Sequence, residues 1–194
     1  MNVFVLCTGR SGSSTFVAAC KHIRNYSSGH ETRSRLFGPE RFAYADQHIE
    51  ADNRLSWLLG RLDHAYGDQA FYVHLKRDPL ATAESFQKRW NSGIIDAYRR
   101  KIIMGTGKGI PLEVCLDYCE TVNQNIELFL KDKTRVLSVQ VENWQEDFVG
   151  FWNEIGAEGD LDAAVSELGI RHNASSKSQP WWMPSFLTNE RRAA

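Results

Sequence analysis

The sequence predicts an α/β fold of three layers, a central parallel sheet flanked by helices, on three observations. A short apolar run rich in β-formers, Val3 to Cys7, opens the chain; a turn of glycines and serines follows it; beyond the turn, apolar residues return at helical spacing. Two later runs of the same kind are each followed by helical periodicity, and strands that alternate with helices build parallel sheets covered on both faces. The chain has 194 residues, 42% of them hydrophobic, enough for one core and too few for two large ones, so residues 1–194 are expected to form a single domain.

Each element has its own signal. Val3 to Cys7 reads as a buried strand, and Phe16, Val17, Cys20 and Ile23 as the apolar stripe of the first helix. Residues 25–50 are rich in Ser, Arg and His, and a surface excursion with at most a short helix is expected there. Asp52 suits the N-cap of a helix carrying Leu55, Leu58, Leu59 and Leu62, with Gly67 just past its end. Phe71, Val73 and Leu75 give a second strand, after which Asp78 suits an N-cap and Pro79 the first position of a helix running to about Arg89 or Trp90. Gly105, Gly107 and Gly109 mark a turn, and Pro111 opens the longest helix, striped by Leu112, Cys115, Cys119, Val122, Ile126 and Phe129. Val136 to Val141 is the third strand; Glu142 to Ile155 and Leu161 to Leu168 are two more helices; the tail from Arg171 reads as irregular.

Composition excludes several functions. Lys and Arg total 23 against 24 Asp and Glu, a net charge of −1, so a broad nucleic-acid-binding face is not expected. The apolar stretches are broken by charge before the roughly 18 residues a membrane span needs, and the N-terminus lacks the pattern of a signal peptide, so a cytoplasmic protein is expected. Cys7, Cys20, Cys115 and Cys119 form no CxxC pair and lie in stretches patterned as strand and helix; they read as buried thiols, with no disulfide and no metal site.

The first turn, Thr8-Gly9-Arg10-Ser11-Gly12-Ser13-Ser14, carries the chemistry. Where a buried strand ends in a glycine turn that starts a helix, unpaired backbone N–H groups and the helix dipole together favour an anion. Gly9 and Gly12 permit close backbone approach, Ser13 and Ser14 supply hydroxyls, and Arg10 brings a permanent charge. An ATP-type P-loop has a lysine directly after its last glycine, where this chain has Ser13.

This turn resembles the 5′-phosphosulfate loop of sulfotransferases, a basic residue, any residue, Gly, then two Ser/Thr; its RSGSS form is similar to that of carbohydrate sulfotransferases and bacterial relatives. A second segment, Arg77-Asp78-Pro79 with Ser85 eight residues after the arginine, resembles the family's 3′-phosphate motif. Helix capping by Asp78 and Pro79 explains part of that segment, but neither Arg77 nor the Ser85 spacing. The segments Tyr118 to Phe129, Val139 to Trp144 and His172 to Lys177 resemble further parts of the family. Two departures stand out. Thr15 occupies the place of an aromatic that many members carry after the loop hydroxyls, and the RKGxxG tail of the cytosolic small-molecule branch is absent, so no adenine-stacking residue is assigned.

The resemblance implies a P-loop-type fold and a sulfotransferase that moves the sulfuryl group of 3′-phosphoadenosine 5′-phosphosulfate (PAPS) to a hydroxyl or amine, with carbohydrates among the candidate acceptors and no metal required. Gly9, Arg10, Ser11, Gly12, Ser13, Ser14, Arg77 and Ser85 would bind the nucleotide, and Arg10 would also stabilise charge on the leaving group. A base is needed near the acceptor. Gly29-His30-Glu31 resembles a GHE element of some bacterial sulfotransferases, with Ser56-Trp57 resembling a downstream SW element. Glu31 is the favoured base, with His30 its competitor or orienting partner.

Other assignments carry less. His22, His48 and His64 read as surface histidines and His74 as a satisfied strand residue; Arg33, Arg35 and Arg41 read as a solvated basic loop that could also guide an anionic acceptor. Trp181 and Trp182 read as packing, or as a platform for acceptor or adenine. A P-loop kinase, with Asp46 or Asp52 holding magnesium, and a non-catalytic nucleotide-binding module are the alternatives. A homodimer is the generic expectation.

Overall fold

In the computed structural model, which describes residues 1–105 and 110–170, the strand that opens the chain becomes the middle of the sheet. Five parallel strands run in the order β2 (Ser27–His30), β3 (His48–Ala51), β1 (Val3–Leu6), β4 (Phe71–Lys76) and β5 (Val136–Gln140). Val5 of β1 lies opposite Ala51 on one side and Val73 on the other. All four residues of β1 are buried, the continuous apolar pattern of a strand covered on both faces.

The alternation of side chains along β1 sorts the helices into two layers. Val3, Val5 and Cys7 pack with α1 (Ser13–Cys20), α6 (Trp144–Glu154) and α7 (Leu161–Leu168), where Phe16, Phe148 and Phe151 fill the core. Phe4 and Leu6 face the opposite layer of α2 (Leu59–Tyr66), α3 (Pro79–Gln87), α4 (Gly93–Ala97) and α5 (Pro111–Leu130). Each large apolar side chain buried this way contributes about 1.5–3 kcal/mol. The α5 stripe keeps its expected face: Cys115, Cys119, Val122 and Ile126 are buried, and Leu112 and Phe129 pack against them. All four cysteines are buried free thiols.

Three expectations need correction. Residues 25–50 hold two strands, β2 and β3, rather than an excursion with one short helix; β2 is a polar edge strand, and β3 buries Glu50 between Ile49 and Ala51, so neither shows an apolar pattern. The helix expected from Asp52 is broken into a 3₁₀ turn, Asn53–Trp57, and α2, because Asn53 and Ser56 turn inward and Leu58 departs from helical geometry. Asp52 does cap the first piece, accepting from the Arg54 backbone N–H at 2.8 Å. Arg41 and His48 are not solvated side chains: Arg41 is buried against Asp52, and His48 is bonded to Glu50. α4 and the π-helical turn Tyr98–Ile102 that follows it lie in a stretch without sequence pattern. Gly107, Gly109 and everything assigned beyond Ile170, including His172 to Lys177, Trp181 and Trp182, lie outside the described residues.

The connections place the site. The chain leaves β1 toward the β3–β2 side and leaves β4 toward β5, so the direction of winding reverses between the carboxyl ends of β1 and β4. Open α/β sheets bind ligands in the crevice at such a point. Among the described residues, no helix is long and apolar enough to cross a membrane.

Candidate functional site

The turn between β1 and α1 is left-handed at three positions, Gly9 (φ 81°), Arg10 (φ 59°) and Gly12 (φ 85°). A non-glycine residue there is strained, and neighbouring structure has to hold it. Four contacts surround the turn. Tyr118 donates its hydroxyl to the Thr8 carbonyl at 2.6 Å, and Ser56 donates to the Cys7 carbonyl at 3.1 Å. Asn53 lies so close beneath Gly9 that a Cβ there would stand 2.7 Å from its Nδ2; Trp144 would stand 2.8 Å from a Cβ at Gly12. Gly12 is the N-cap of α1 and offers no side chain to the first-turn N–H groups. The first-turn N–H groups of a helix have no intrahelical partner.

The two segments singled out in the sequence meet here. Arg77 donates through Nη1 to the main-chain carbonyl of Arg10 at 3.0 Å, and Arg10 donates through Nε to the Ser85 hydroxyl at 3.0 Å. Burial, together with the like charges of Arg89 and Arg77, holds the Arg10 guanidinium below the ordinary arginine range. Asp78 caps α3 by accepting from the Ala81 N–H at 2.7 Å, while its own N–H donates to Glu142 at 2.9 Å, joining the turn after β4 to the turn after β5.

The remaining candidates fall into two groups. Ser13 and Ser14 both lie on the His30 imidazole, their hydroxyls 3.0 and 3.3 Å from Nε2. Ser11 is buried beside Cys7, and its hydroxyl acts on the Cys7 thiol as a side-chain hydrogen-bond partner. Glu31, in a left-handed conformation (φ 54°), pairs its carboxylate with Arg54 at 2.5 Å. His30 is therefore the member of the pair that touches the loop.

Beneath His30 and Glu31 lies a buried polar network with no counterpart in the local sequence pattern. Glu50, wholly buried, accepts from the Thr32 N–H at 2.7 Å, the Thr32 hydroxyl at 2.7 Å and His48 Nε2 at 2.9 Å. Gly29 makes room for it, since a Cβ there would meet the Glu50 carboxylate at 3.0 Å and Thr32 at 2.3 Å. Asn53, Tyr118, Trp144, Arg54 and Arg89 were likewise not singled out for the site. Tyr118, Trp144 and Glu142 stand in segments the family resemblance marks; Asn53, Arg54 and Arg89 do not, because they act on parts of the chain far away in sequence.

A parallel sheet with an arginine-bearing glycine turn at its switch point, met by a second arginine from the neighbouring strand, defines a three-layer α/β protein. Among solved structures the chain is similar to the sulfotransferase domain from the curacin biosynthetic pathway, with 14% identity and a TM-score of 0.56 over 83% of this chain and 75% of that one. It is also similar to mouse sulfotransferase SULT7A1 complexed with PAP, at 15% identity and a TM-score of 0.48 over 89% of this chain and 60% of that one. No protein-family model and no curated protein matches the chain. The chain has the three-layer α/β fold of sulfotransferases.

Proposed function

We propose that the chain is a PAPS-dependent sulfotransferase acting on a hydroxyl or amine acceptor, carbohydrates among them. The observation that carries this reading is the meeting of Arg10 and Arg77 through the Arg10 carbonyl, with Ser85 as the second partner of Arg10. Two guanidinium groups brought together with hydroxyl and carbonyl partners concentrate positive charge and donors suited to a multiply phosphorylated ligand. The uncapped start of α1 and the left-handed Gly9 and Gly12 suit a phosphate approaching backbone N–H groups.

In sulfuryl transfer the acceptor oxygen or nitrogen bonds to sulfur while the bond from sulfur to the 5′-phosphate oxygen breaks. The charge that appears on that oxygen falls to Arg10 and the loop N–H groups, which are fixed before reaction and need no reorganisation. The acceptor proton goes to a base. His30 stands at the loop hydroxyls, whereas Glu31 would have to leave Arg54 to serve, so His30 is the base and Glu31 holds Arg54 in this reading. Asp52, one of the carboxylates a kinase could use for magnesium, is already bonded to Arg41 at 2.5 Å and to the Arg54 N–H, which weighs against the kinase alternative.

Thermal unfolding tests the reading. Adenosine 3′,5′-bisphosphate at about 100 times its Kd is expected to stabilise the chain by about 2.7 kcal/mol, while ATP with Mg²⁺ does not. Stabilisation by ATP with Mg²⁺ alone would overturn it. Sulfate transfer from PAPS across a panel of sugars, alcohols and amines is expected to fall about 10²–10³-fold in Arg10→Ala. His30→Gln is expected to lower kcat about 10²–10⁴-fold with little change in nucleotide binding. A larger loss in Glu31→Gln would return the role of base to Glu31.

A further inference from the structure

A third arginine, outside both motifs, lies one helical turn from Ser85, near enough for its charge to act on Arg10. Ser85, the partner of Arg10, is on α3, and the coil of that helix continues past Gln87: the Lys88 N–H bonds to the Glu84 carbonyl and the Arg89 N–H to the Phe86 carbonyl. Arg89 is thus one turn beyond Ser85, on the same side, with Cβ atoms about 5–6 Å apart. Arg89 acts on Arg10 as a like charge, as Arg77 does. Among the described residues, neither Arg89 nor Arg77 pairs with a carboxylate, whereas Arg41, Arg54, Arg99 and Arg100 all do. Arg89 is also exposed, so nothing in the packing of α3 requires a cation there.

Charge matching says what this arrangement would take. A terminal phosphate monoester carries about −1.5 to −2 at neutral pH. One guanidinium neutralises about half of that, and Arg77 already spends one N–H on the Arg10 carbonyl. We propose that Arg89 is a third nucleotide-binding cation, set at the 3′-phosphate end beside Arg77 and Ser85, where it selects a 3′,5′-bisphosphorylated adenosine over a 5′-monophosphate. The inference rests on the sulfotransferase reading and assigns a residue to its nucleotide end.

Calorimetric titration of the full chain with adenosine 3′,5′-bisphosphate and with adenosine 5′-phosphate tests it. Arg89→Gln is expected to weaken the bisphosphate at least tenfold and the monophosphate less than twofold, with Arg89→Lys in between and the melting temperature of the free chain unchanged. Undiminished bisphosphate affinity in Arg89→Gln, or equal losses for both nucleotides, would overturn the assignment while leaving the sulfotransferase reading standing. A parent chain that binds no bisphosphate overturns that reading and this inference together.

Discussion

The carboxylate of Glu50 holds Thr32 twice, by its backbone N–H and by its hydroxyl, each at 2.7 Å. Because Thr32 directly follows His30 and Glu31, this grip fixes the turn that presents His30 to the loop serines. The buried carboxylate has His48 as its third partner.

Glu50→Gln replaces an acceptor of three hydrogen bonds by an amide that can accept on one oxygen only. A loss of about 1.5–3 kcal/mol is expected in urea unfolding, the worth of a buried hydrogen bond to a charged group. Thr32→Val, which removes only the hydroxyl donor, is expected to cost less. A Glu50→Gln variant as stable as the parent would show that Glu50 does not hold the turn.

Gly12→Ala meets two obstacles at once. The left-handed backbone costs a β-carbon about 1–2 kcal/mol, and the added methyl would stand 2.8 Å from the Trp144 ring. Trimming the ring in Gly12→Ala/Trp144→Leu is expected to remove the clash and leave the backbone strain. The double variant should therefore recover part of the loss caused by Gly12→Ala, relative to Trp144→Leu alone. Additive melting-temperature losses would rule the contact out as a cause.

Arg41 and Asp52 form an ion pair whose side chains are only 3% and 0% exposed. Arg41→Met strands the Asp52 carboxylate, whose proton affinity burial already raises, and about 3–5 kcal/mol is expected to be lost. Replacing both, as Arg41→Met/Asp52→Asn, removes the stranded charge and keeps a cap for the Arg54 N–H. The double variant is expected to be more stable than Arg41→Met, as chemical denaturation would show.

His74 gives the chain an acid-sensitive step. Buried on β4 and bonded to Asn123 at 3.1 Å, its imidazole is pushed down to about 4, chiefly by burial. The unfolded chain takes up that proton near pH 6.5. Between about pH 6.5 and 4 the unfolded state therefore binds more protons, and stability falls as pH drops. The contribution is complete above about pH 6.5, and the loss across the window is about 3 kcal/mol. His74→Gln, which keeps a polar partner for Asn123 but cannot titrate, is expected to flatten this part of the pH–stability curve measured by urea midpoints.

Much of this architecture was written locally. β1, β4 and β5 are apolar runs, α5 repeats its buried residues every three or four positions, and the caps at Asp78 and Asp160 act within three residues of themselves. The loop residues and the spacing from Arg77 to Ser85 could be read the same way, because both segments follow strands that could be recognised. β2 and β3 could not be seen, since Ser27-Ser28-Gly29-His30 has no apolar face and β3 buries a glutamate.

Neighbours a few residues apart in the chain already say which segments bury apolar surface and which turns release backbone donors. Folding alone brings Arg77 to the carbonyl of Arg10, sets His30 rather than Glu31 against the loop serines, and buries Glu50 and Arg41. A polar side chain can leave water only where a partner meets it. Those partners, 67, 17, 18 and 11 residues away in the chain, are supplied by the packing of the sheet.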